Sequence, residues 1–415
     1  MMAKKRMALA GVGGFGGSHV RVIAKLAEQG ILECVACVDP NLEACRDNAD
    51  VLRGLGAACY ADYEEMLDAH PDLDFVALAT PIALHKPMAI SAMRRGIHVL
   101  TEKPAAVLLE DAVEMAAVSK EQGRRLAVQY QNTTGQAFNQ ALELIRSGDV
   151  GEVKRVTGVG KWKRADSYYE RTGWAGKLKH RGSYVLDGTL HNPFSHLFYN
   201  TLTAAGLGDA LAAVPVSVQA ELYHAHAIES EDTACLRARM TNGVEMLLYT
   251  TLCAGDQRPE PYIRVEGSKG TITWHYNDIV QWTLADGSSH SADYSADFHP
   301  NELMSRIYRN LMAAIDDPAE RLFASIDGSL NYLAVTNGAF TSTGTVHTIP
   351  AEAMDRFPEE GSTATYVHDI EAIMDACAEQ GRLFSEHGVS WAVAGSVVEE
   401  QGWRDPSQQW WRKDD

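Results

Sequence analysis

Hydrophobic residues in the first 130 positions alternate between short continuous runs and runs with helical spacing. Continuous runs at 6–10 and 32–38 predict buried strands, and apolar residues between them occupy the i, i+3, i+4 and i+7 positions from Val20. Gly30 then stands where that helix would end. The alternation continues with strands predicted at 74–79, 98–101 and 126–130 and a helix at 110–122. Short strands alternating with helices predict an α/β fold with a doubly wound parallel sheet.

After Gln131 the pattern becomes that of an α+β domain. A helical stripe at 138–145 ends at Gly148, and a second stripe runs from Val367 to Cys377. Between them lie strands with period-two alternation, at 216–222, 271–276 and 280–284. Such alternation predicts a large, mostly antiparallel open sheet with one buried face. If the aromatic residues of these strands lie on the other face, that face would contact a second subunit.

These patterns predict two domains, residues 1–130 and 131–400, followed by a polar tail at 401–415. A chain of 415 residues is also longer than one ordinary hydrophobic core supports. The tail carries three tryptophans, and it is either disordered or docked by them: Trp403, Trp410 and Trp411.

Charge and composition exclude several classes of partner. The formal net charge of −18 argues against nucleic acid, which requires a basic surface. No apolar run reaches the roughly 18 residues of a membrane span, and the apolar stretch after Arg6 enters glycines without a signal-peptide cleavage site. Seven cysteines, an odd number, are typical of a reducing compartment. We therefore expect a cytoplasmic protein with neither a nucleic-acid nor a membrane partner.

A glycine-rich loop follows the first predicted strand. Its residues Gly11-Val-Gly-Gly-Phe-Gly16 match G-x-G-x-x-G and open the first helix. Gly11 permits the tight turn, Gly13 lets the backbone approach a pyrophosphate, and Gly16 allows close packing of helix on strand. We expect the cofactor to contact this loop at Gly11, Gly13, Gly14, Phe15 and Gly16.

Asp39 ends the second predicted strand, 23 residues after Gly16. An acidic residue there accepts hydrogen bonds from ribose hydroxyls and repels a 2′-phosphate. The cofactor is therefore predicted to be NAD, with NADP less favoured.

Two further segments lie at the carboxyl ends of predicted strands, where such sheets bind ligands. Thr80-Pro81 is followed by His85, which either faces the cofactor or is a surface loop histidine. Glu102-Lys103-Pro104 ends the next strand, and the proline holds Lys103 in extended geometry. Lys103 either hydrogen-bonds the alcohol being oxidised or is a solvated loop lysine.

These motifs resemble those of the Gfo/Idh/MocA family of oxidoreductases. The resemblance runs from the glycine loop through Thr80-Pro81, His85 and Gly96–Pro104, and then through Ile145–Val153 to Glu266–Ile272. It covers roughly the first 275 residues and implies a Rossmann domain followed by an α/β domain with a large open sheet. It also implies a homo-oligomer, a dimer or tetramer, built through that sheet. Lys103 corresponds to the family's catalytic lysine, with Glu102 beside it at the cofactor.

The family's second signature is an acid or amide followed four residues later by a histidine at the start of a helix. Two registers fit, Asp187 with His191 and Asn192 with His196. We favour His196, because the residues that follow it resemble the helix and glycine of relatives. Asn192 would then be the helix N-cap, and Asp187 would supply negative charge from the preceding loop. His191 is assigned to the substrate surface rather than to the chemistry.

In the expected reaction, a hydride moves between the nicotinamide and a carbinol carbon of a sugar, inositol or sugar acid. His196 takes the hydroxyl proton, and Lys103 stabilises the developing alkoxide. Just before this segment, nine Lys or Arg residues occur between Lys154 and Arg181. With Trp162, Arg164 and Tyr168 they indicate either a site for an anionic sugar or a surface contact with an acidic neighbour. No metal is expected, since His180, His224 and His226 lack ligand spacing.

Two other functions remain compatible with these motifs. One is a protein that keeps NAD bound and uses transient oxidation for glycoside cleavage or epimerisation. The other is a catalytically silent nucleotide-binding sensor, against which the presence of both Lys103 and His196 argues.

Overall fold

The computed structural model describes residues 4–255, 259–359 and 361–412, which form two compact units. The first unit consists of the chain up to Ala106, Glu110–Thr134 and Phe298–Ser329. The second consists of Val107–Leu109, Gly135–Asp297 and the chain from Leu330. The expected boundary at residue 130 thus lies close to a change of unit at Thr134, but the periodicity gave no sign that residues 298–329 return to the first unit.

The first unit is built on a six-stranded parallel sheet in the order β3-β2-β1-β4-β5-β6. Its strands are β1 (Lys5–Ala10), β2 (Leu32–Val38), β3 (Ala58–Tyr60), β4 (Phe75–Leu78), β5 (His98–Thr101) and β6 (Leu126–Val128). Its helices are α1 (Gly16–Glu28), α2 (Arg46–Gly54), α3 (Tyr63–Ala69), α4 (His85–Arg94) and α5 (Leu109–Gln122). This is the doubly wound Rossmann order, and the expected α/β fold is confirmed.

The second unit is built on a ten-stranded sheet that is mostly antiparallel. After α6 (Gln136–Arg146) come β7 (Val153–Lys161), α7 (Ser167–Glu170), β8 (Lys179–His180), β9 (Ser183–Tyr184) and α8 (Ser195–Ala205). The sheet continues with β10 (Pro215–His224), β11 (Thr233–Met240), β12 (Glu245–Thr251), β13 (Tyr262–Gly267), β14 (Thr271–His275), β15 (Ile279–Thr283) and β16 (Ser289–Asp293). Its order is β16-β15-β14-β13-β7-β12-β11-β10-β17, with β17 at His347–Thr348, and β20 (Val398–Glu399) also pairs with β10. The β7–β12 and β10–β17 pairs are parallel, and β8 and β9 form a separate two-stranded sheet. The expected α+β class is therefore confirmed.

Helix α9 (Pro300–Asp316) belongs to the first unit, where it packs on α1. Its residues Met304, Ile307 and Leu311 join the cluster that contains Val20 and Ile23 of α1. The chain then forms α10 (Ile326–Thr343), β17 (His347–Thr348), β18 (Met354–Glu359), β19 (Ser362–Val367), α11 (Ile370–Gln380), α12 (Phe384–His387), β20 (Val398–Glu399) and α13 (Glu400–Arg404). Among the described helices, none combines the length and the apolar character needed to cross a bilayer.

One face of the ten-stranded sheet is covered by the chain's own residues 349–359 and 361–392, here called the covering segment. Tyr223, Leu247 and Tyr249 of the sheet share a buried cluster with Met374 and Phe384. The other face packs on helices. Gly158 and Gly160 of β7 let α8 approach, since a Cβ at either would lie 2.4 Å from an α8 or adjacent side-chain atom.

Three details refine or correct the expectations. Val367 is the last residue of strand β19, so the helical stripe expected from this residue begins only at Ile370. The aromatic residues were expected to contact a second subunit only if they lay on the outer face, and Trp274 does not, because it is buried with its ring 5.2 Å from that of Phe138 in α6. The tryptophan tail is docked in its described part, because Trp403 and Trp411 are buried.

Candidate active site

The loop between β1 and α1 requires glycine at two positions. Gly11 has a φ of +85°, and a Cβ there would lie 2.3 Å from the carbonyl oxygen of Ala79. A Cβ at Gly16 would lie 2.3 Å from the carbonyl oxygen of Gly11. Backbone atoms occupy both places and cannot move aside as a flexible side chain would. The tight turn and the close packing of α1 on the strand both depend on these glycines.

The same loop leaves room for a ligand at its two other glycines. A Cβ at Gly13 would meet no atom nearer than 3.6 Å, and one at Gly14 would meet none within 4 Å. Phe15, the residue before α1, is exposed, and the positive end of the helix dipole lies at Gly16. A pyrophosphate therefore fits this loop both sterically and electrostatically.

Asp39 fixes the shape of the loop. One of its carboxylate oxygens accepts hydrogen bonds from the backbone N–H groups of Val12 at 3.0 Å and Gly13 at 3.2 Å. The other accepts from the N–H of Asn41 at 2.9 Å. This role in ordering the loop was not anticipated from the sequence. A carboxylate held here also repels the 2′-phosphate that distinguishes NADP.

His85 is buried at the start of α4, so the alternative of a surface histidine is wrong. Its Nε2 lies 2.9 Å from the carbonyl oxygen of Thr80, and its Nδ1 lies 3.0 Å from that of Pro104. Burial lowers the pKa of the imidazole. His85 thereby ties together the segments that follow β4 and β5. Beside it, the hydroxyl of Thr80, the residue before Pro81, is buried and has no hydrogen-bond partner within the described part of the chain.

A buried chain of hydrogen bonds ends at the residue before Lys103. The hydroxyl of Tyr308 lies 2.7 Å from Nδ1 of His19, and Nε2 of His19 lies 2.9 Å from the Glu102 carboxylate. The second oxygen of Glu102 accepts from the backbone N–H of half-buried Lys103 at 3.1 Å. His19 and Tyr308 were missed from the sequence. A buried histidine just after the glycine loop was the one available signal, while Tyr308 lies 289 residues further along the chain.

In the second unit, the polar residues of the two registers considered for the histidine signature contact each other. The Asn192 side chain donates to the Asp187 carboxylate at 2.9 Å. Asp187 is buried, pairs with Arg171 at 3.2 Å and accepts from the N–H of Gly176 at 2.8 Å. The negative charge of Asp187 is therefore in direct contact with the side-chain amide of Asn192.

Helix α8 begins at Ser195, so the expectation that Asn192 is its N-cap is wrong. Phe194 occupies the N-cap position and makes no side-chain capping bond. Instead, the backbone carbonyl of Asn192 accepts from the N–H of Ser195 at 2.9 Å and from its hydroxyl at 2.8 Å. His196 lies in the first turn of α8, as predicted, and is buried.

His191 is buried in an apolar setting. Its ring lies 6.1 Å from Tyr332 and 6.2 Å from Phe340. Desolvation lowers the pKa of His191 to about 3, which makes its imidazole a poor proton acceptor at neutral pH. This favours the register in which His196 carries the chemistry.

Four of the nine basic residues between Lys154 and Arg181 form two groups. Lys161 and Lys163 are buried and pair with Asp375 at 2.6 Å and Glu359 at 2.7 Å, both from the covering segment. These two lysines therefore pair with acidic residues of their own chain, whereas the two expectations were an anionic sugar and a surface contact with an acidic neighbouring subunit.

The second group surrounds the segment before α8. Arg164 lies over the rings of Trp162 at 5.0 Å and Tyr168 at 5.3 Å. Arg171 lies 3.8 Å from the centre of the Tyr168 ring, and Trp162 lies 4.4 Å from that of Phe194. The structure thus brings together the three expected substrate contacts, Trp162, Arg164 and Tyr168.

His226 makes contacts that no short-range spacing predicted. With Asp232 and Cys253 it forms a buried group whose ligand-type atoms lie within 4.8 Å of one another. Nδ1 of His226 lies 2.8 Å from the Asp232 carboxylate, and its Nε2 lies 3.0 Å from the carbonyl oxygen of Arg164. Asp232 also accepts from the N–H groups of Ala225 and His226. We interpret the group as a hydrogen-bonded link that fixes this turn, and His180 and His224 do not belong to it.

The parallel sheet with its glycine loop defines a dinucleotide-binding protein. Residues 5–130 match the oxidoreductase family with an NAD-binding Rossmann fold, and residues 138–273 match the GFO/IDH/MocA C-terminal domain. The chain belongs to the Gfo/Idh/MocA oxidoreductase family, and the resemblance seen in the sequence is confirmed.

Individual relatives agree with this assignment. The WlbA dehydrogenase of Bordetella pertussis, solved with NADH and UDP-GlcNAcA, is 27% identical with a TM-score of 0.65, over 82% of this chain and 96% of that one. The rhizopine catabolism protein MocA of Rhizobium meliloti is 31% identical over 38% of this chain and 47% of its own. A glycosyl hydrolase family 109 protein of Saccharopolyspora erythraea is 29% identical over 45% of this chain and 41% of its own. The chain thus matches less than half of the length of these two curated relatives.

Proposed function

We propose that the protein is an NAD-dependent dehydrogenase acting on a carbinol carbon of a sugar, inositol or sugar acid. The observation that carries this proposal is the glycine loop, whose geometry accommodates a pyrophosphate in a chain of an NAD-binding oxidoreductase family. The buried Thr80 hydroxyl offers a further unused hydrogen-bonding group at the carboxyl edge of the same sheet.

The residues that would hold NAD belong to the first unit. Gly13 and Gly14 leave space for the pyrophosphate, and Asp39 offers a carboxylate to the ribose hydroxyls. Glu102 is held in one orientation by His19 next to Lys103. Bound NAD would supply the hydride acceptor for alcohol oxidation.

The remaining chemistry is assigned to this chain's own side chains. Lys103 hydrogen-bonds the carbinol oxygen and stabilises the negative charge that develops on it. His196 accepts the hydroxyl proton as general base. Asp187 accepts a hydrogen bond from Asn192 and so places a negative charge in the segment that precedes His196.

A sugar-like substrate is supported by the arrangement around this segment. Trp162 and Tyr168 provide aromatic faces for sugar C–H groups, and Arg164 provides a guanidinium for an anionic substituent. The WlbA relative was solved with UDP-GlcNAcA, a sugar acid derivative. We therefore include sugar acids in the substrate class.

A second candidate is redox-assisted glycoside cleavage with NAD kept bound. The similarity to the family 109 glycosyl hydrolase is the observation that favours it. Both candidates use the same cofactor site, and they differ in whether NADH leaves the protein.

The test is a screen of sugars, inositols, uronates and aryl glycosides with NAD and NADP in parallel, read at the absorbance of NADH. The proposal expects NADH formation with at least one polyol and its loss in Lys103→Ala. Release of an aryl alcohol without NADH formation would replace it by the second candidate.

A further inference from the structure

Glu231 is a fully buried carboxyl group beside the segment that carries Asp187 and Asn192. It lies just before β11, and every polar contact of its carboxylate in the described chain is with a neutral donor. The backbone N–H of Leu190 donates at 3.0 Å, and the Ser230 hydroxyl donates at 2.7 Å. The Thr189 hydroxyl lies at 3.5 Å. A buried carboxyl without a cation is costly, so its retention calls for a reason.

Its position supplies that reason. A Cβ at Gly188 would lie 2.1 Å from the Glu231 carboxyl carbon, so any larger residue at position 188 would have to displace the Glu231 carboxyl group. Glu231 also accepts at its backbone carbonyl from the N–H of Thr189 at 3.1 Å. Residues 188 to 190 therefore each contact Glu231, and these residues lie in the chain between Asp187 and Asn192.

The charged groups around Glu231 can be named. The Asp187 carboxylate repels a negative charge on Glu231, and Asp187 itself forms an ion pair with Arg171. Asp232, the next residue, is held by His226 and by backbone N–H groups. Desolvation, with a further contribution from Asp187, raises the pKa of Glu231 to about 7.

We propose that Glu231 is a positioning residue for the Asp187–His196 segment, and that its ionisation state determines how firmly that segment is held. This inference rests on the proposed function. The ionised carboxylate accepts from all three donors, and the bonds to Leu190 and Ser230 are then charge-assisted. When Glu231 is protonated, one oxygen becomes a donor, the Ser230 hydroxyl must turn round, and the hold on residue 190 weakens.

The first variant is Glu231→Gln, which keeps the shape of the protonated acid and cannot ionise. We expect its kcat above pH 7 to fall about tenfold, the loss associated with one charge-assisted bond, while the Kd for NAD stays unchanged. The wild-type pH profile of kcat contains an ionisation near neutrality that this variant lacks. Every other side chain is common to both proteins, so the difference between the profiles isolates Glu231.

Two further variants control the comparison. Glu221→Gln changes another buried glutamate, one that is bound by Ser385 and Tyr223 at the covering segment. It should leave the pH profile as in wild type. Ser230→Ala keeps Glu231 but removes its shortest hydrogen bond, and it should move the ionisation to higher pH.

Infrared spectroscopy of the unliganded protein measures the same group without turnover. A protonated-carboxyl C=O band that disappears as the pH rises through about 7 in wild type, persists to higher pH in Ser230→Ala and is absent from Glu231→Gln supports the proposal. An active enzyme whose pH profile is unchanged in Glu231→Gln overturns it. If the infrared band behaves as expected but no variant or wild type turns over any substrate, the proposed function has failed, and the catalytic role of Glu231 fails with it.

Discussion

The Asn192 side-chain amide donates a hydrogen bond of 2.9 Å to the Asp187 carboxylate. The sequence offered these residues as members of two competing registers, and the structure makes them partners in one. Asn192 carries no charge itself, but the Asp187 carboxylate to which it donates brings a negative charge into the segment before α8.

Variants of Asp187 and Asn192 distinguish the effect of the Asp187 charge on kcat from the effect of the hydrogen bond between the two side chains. Asp187→Asn should lower kcat about ten- to hundredfold, since a hydrogen bond to a charged group is worth roughly 1.5–3 kcal/mol. Asn192→Ala loses the same hydrogen bond but keeps the carboxylate, and it should cost less. The measurement is kcat of both variants by steady-state kinetics. Equal losses would mean that the negative charge of Asp187 does not contribute to catalysis.

The two histidines should respond differently to substitution. His196→Gln removes the proposed general base and should lower kcat about 100-fold or more. His191→Gln should retain kcat within a few fold, because a buried imidazole with a pKa near 3 does not accept a proton at neutral pH. Full activity in His196→Gln, with inactivity in folded His191→Gln, would assign the chemistry to the other register.

His191 should also contribute to acid sensitivity. Its folded-state pKa of about 3 lies below that of an unfolded histidine, so the unfolded state binds more protons between the two values. The stabilisation is complete above about pH 6.5 and is lost as the pH falls toward 3, by up to roughly 4–5 kcal/mol in total. Urea unfolding of wild type and His191→Gln over this range measures it, and parallel pH dependences would show that His191 is not responsible.

The hydrogen-bond chain Tyr308–His19–Glu102 should hold Lys103 in place. His19→Gln should reduce kcat about tenfold, because a buried bond to the Glu102 carboxylate is lost or lengthened. Tyr308→Phe removes only the outer hydroxyl and should have a smaller effect. Calorimetric NAD binding alongside kcat provides the measurement. A larger loss in Tyr308→Phe than in His19→Gln would contradict the order of the chain.

The buried face of the ten-stranded sheet should be held by ion pairs to the covering segment. Lys161→Glu places a carboxylate opposite Asp375 and should cost about 2 kcal/mol of unfolding free energy, less than a fully buried pair because Asp375 is half exposed. The double variant Lys161→Glu, Asp375→Lys should recover most of this loss. No recovery in thermal or urea unfolding would mean that Lys161 stabilises through packing alone.

The covering segment also bears on self-association. Residues 349–359 and 361–392 occupy one face of the sheet through which the resemblance implies a homo-oligomer. We expect the wild-type protein not to associate through this face. Light scattering of wild type and Phe384→Asp, which disrupts the buried cluster, tests this. An oligomer in wild type that dissociates in the variant would contradict the expectation.

Local features of this protein were predictable from its sequence, and long-range ones were not. The glycine loop, the strands at 32–38 and 98–101, and the place of His196 in the first turn of α8 follow from short-range periodicity and motif spacing. The return of residues 298–329 to the first unit, and the contact of Tyr308 with His19, join parts of the chain that no local pattern relates. Likewise, Gly188 has no distinguishing sequence context, and the space beside it is filled by Glu231, 43 residues further along the printed chain.

The most direct test of the central claim follows the hydrogen itself. A polyol found in the screen is prepared with deuterium at the carbinol carbon and incubated with the protein and NAD, and the released cofactor is analysed by mass spectrometry. The account predicts one deuterium in each NADH formed, with formation lost in Lys103→Ala. Product that appears while the free cofactor stays oxidised and unlabelled would contradict it.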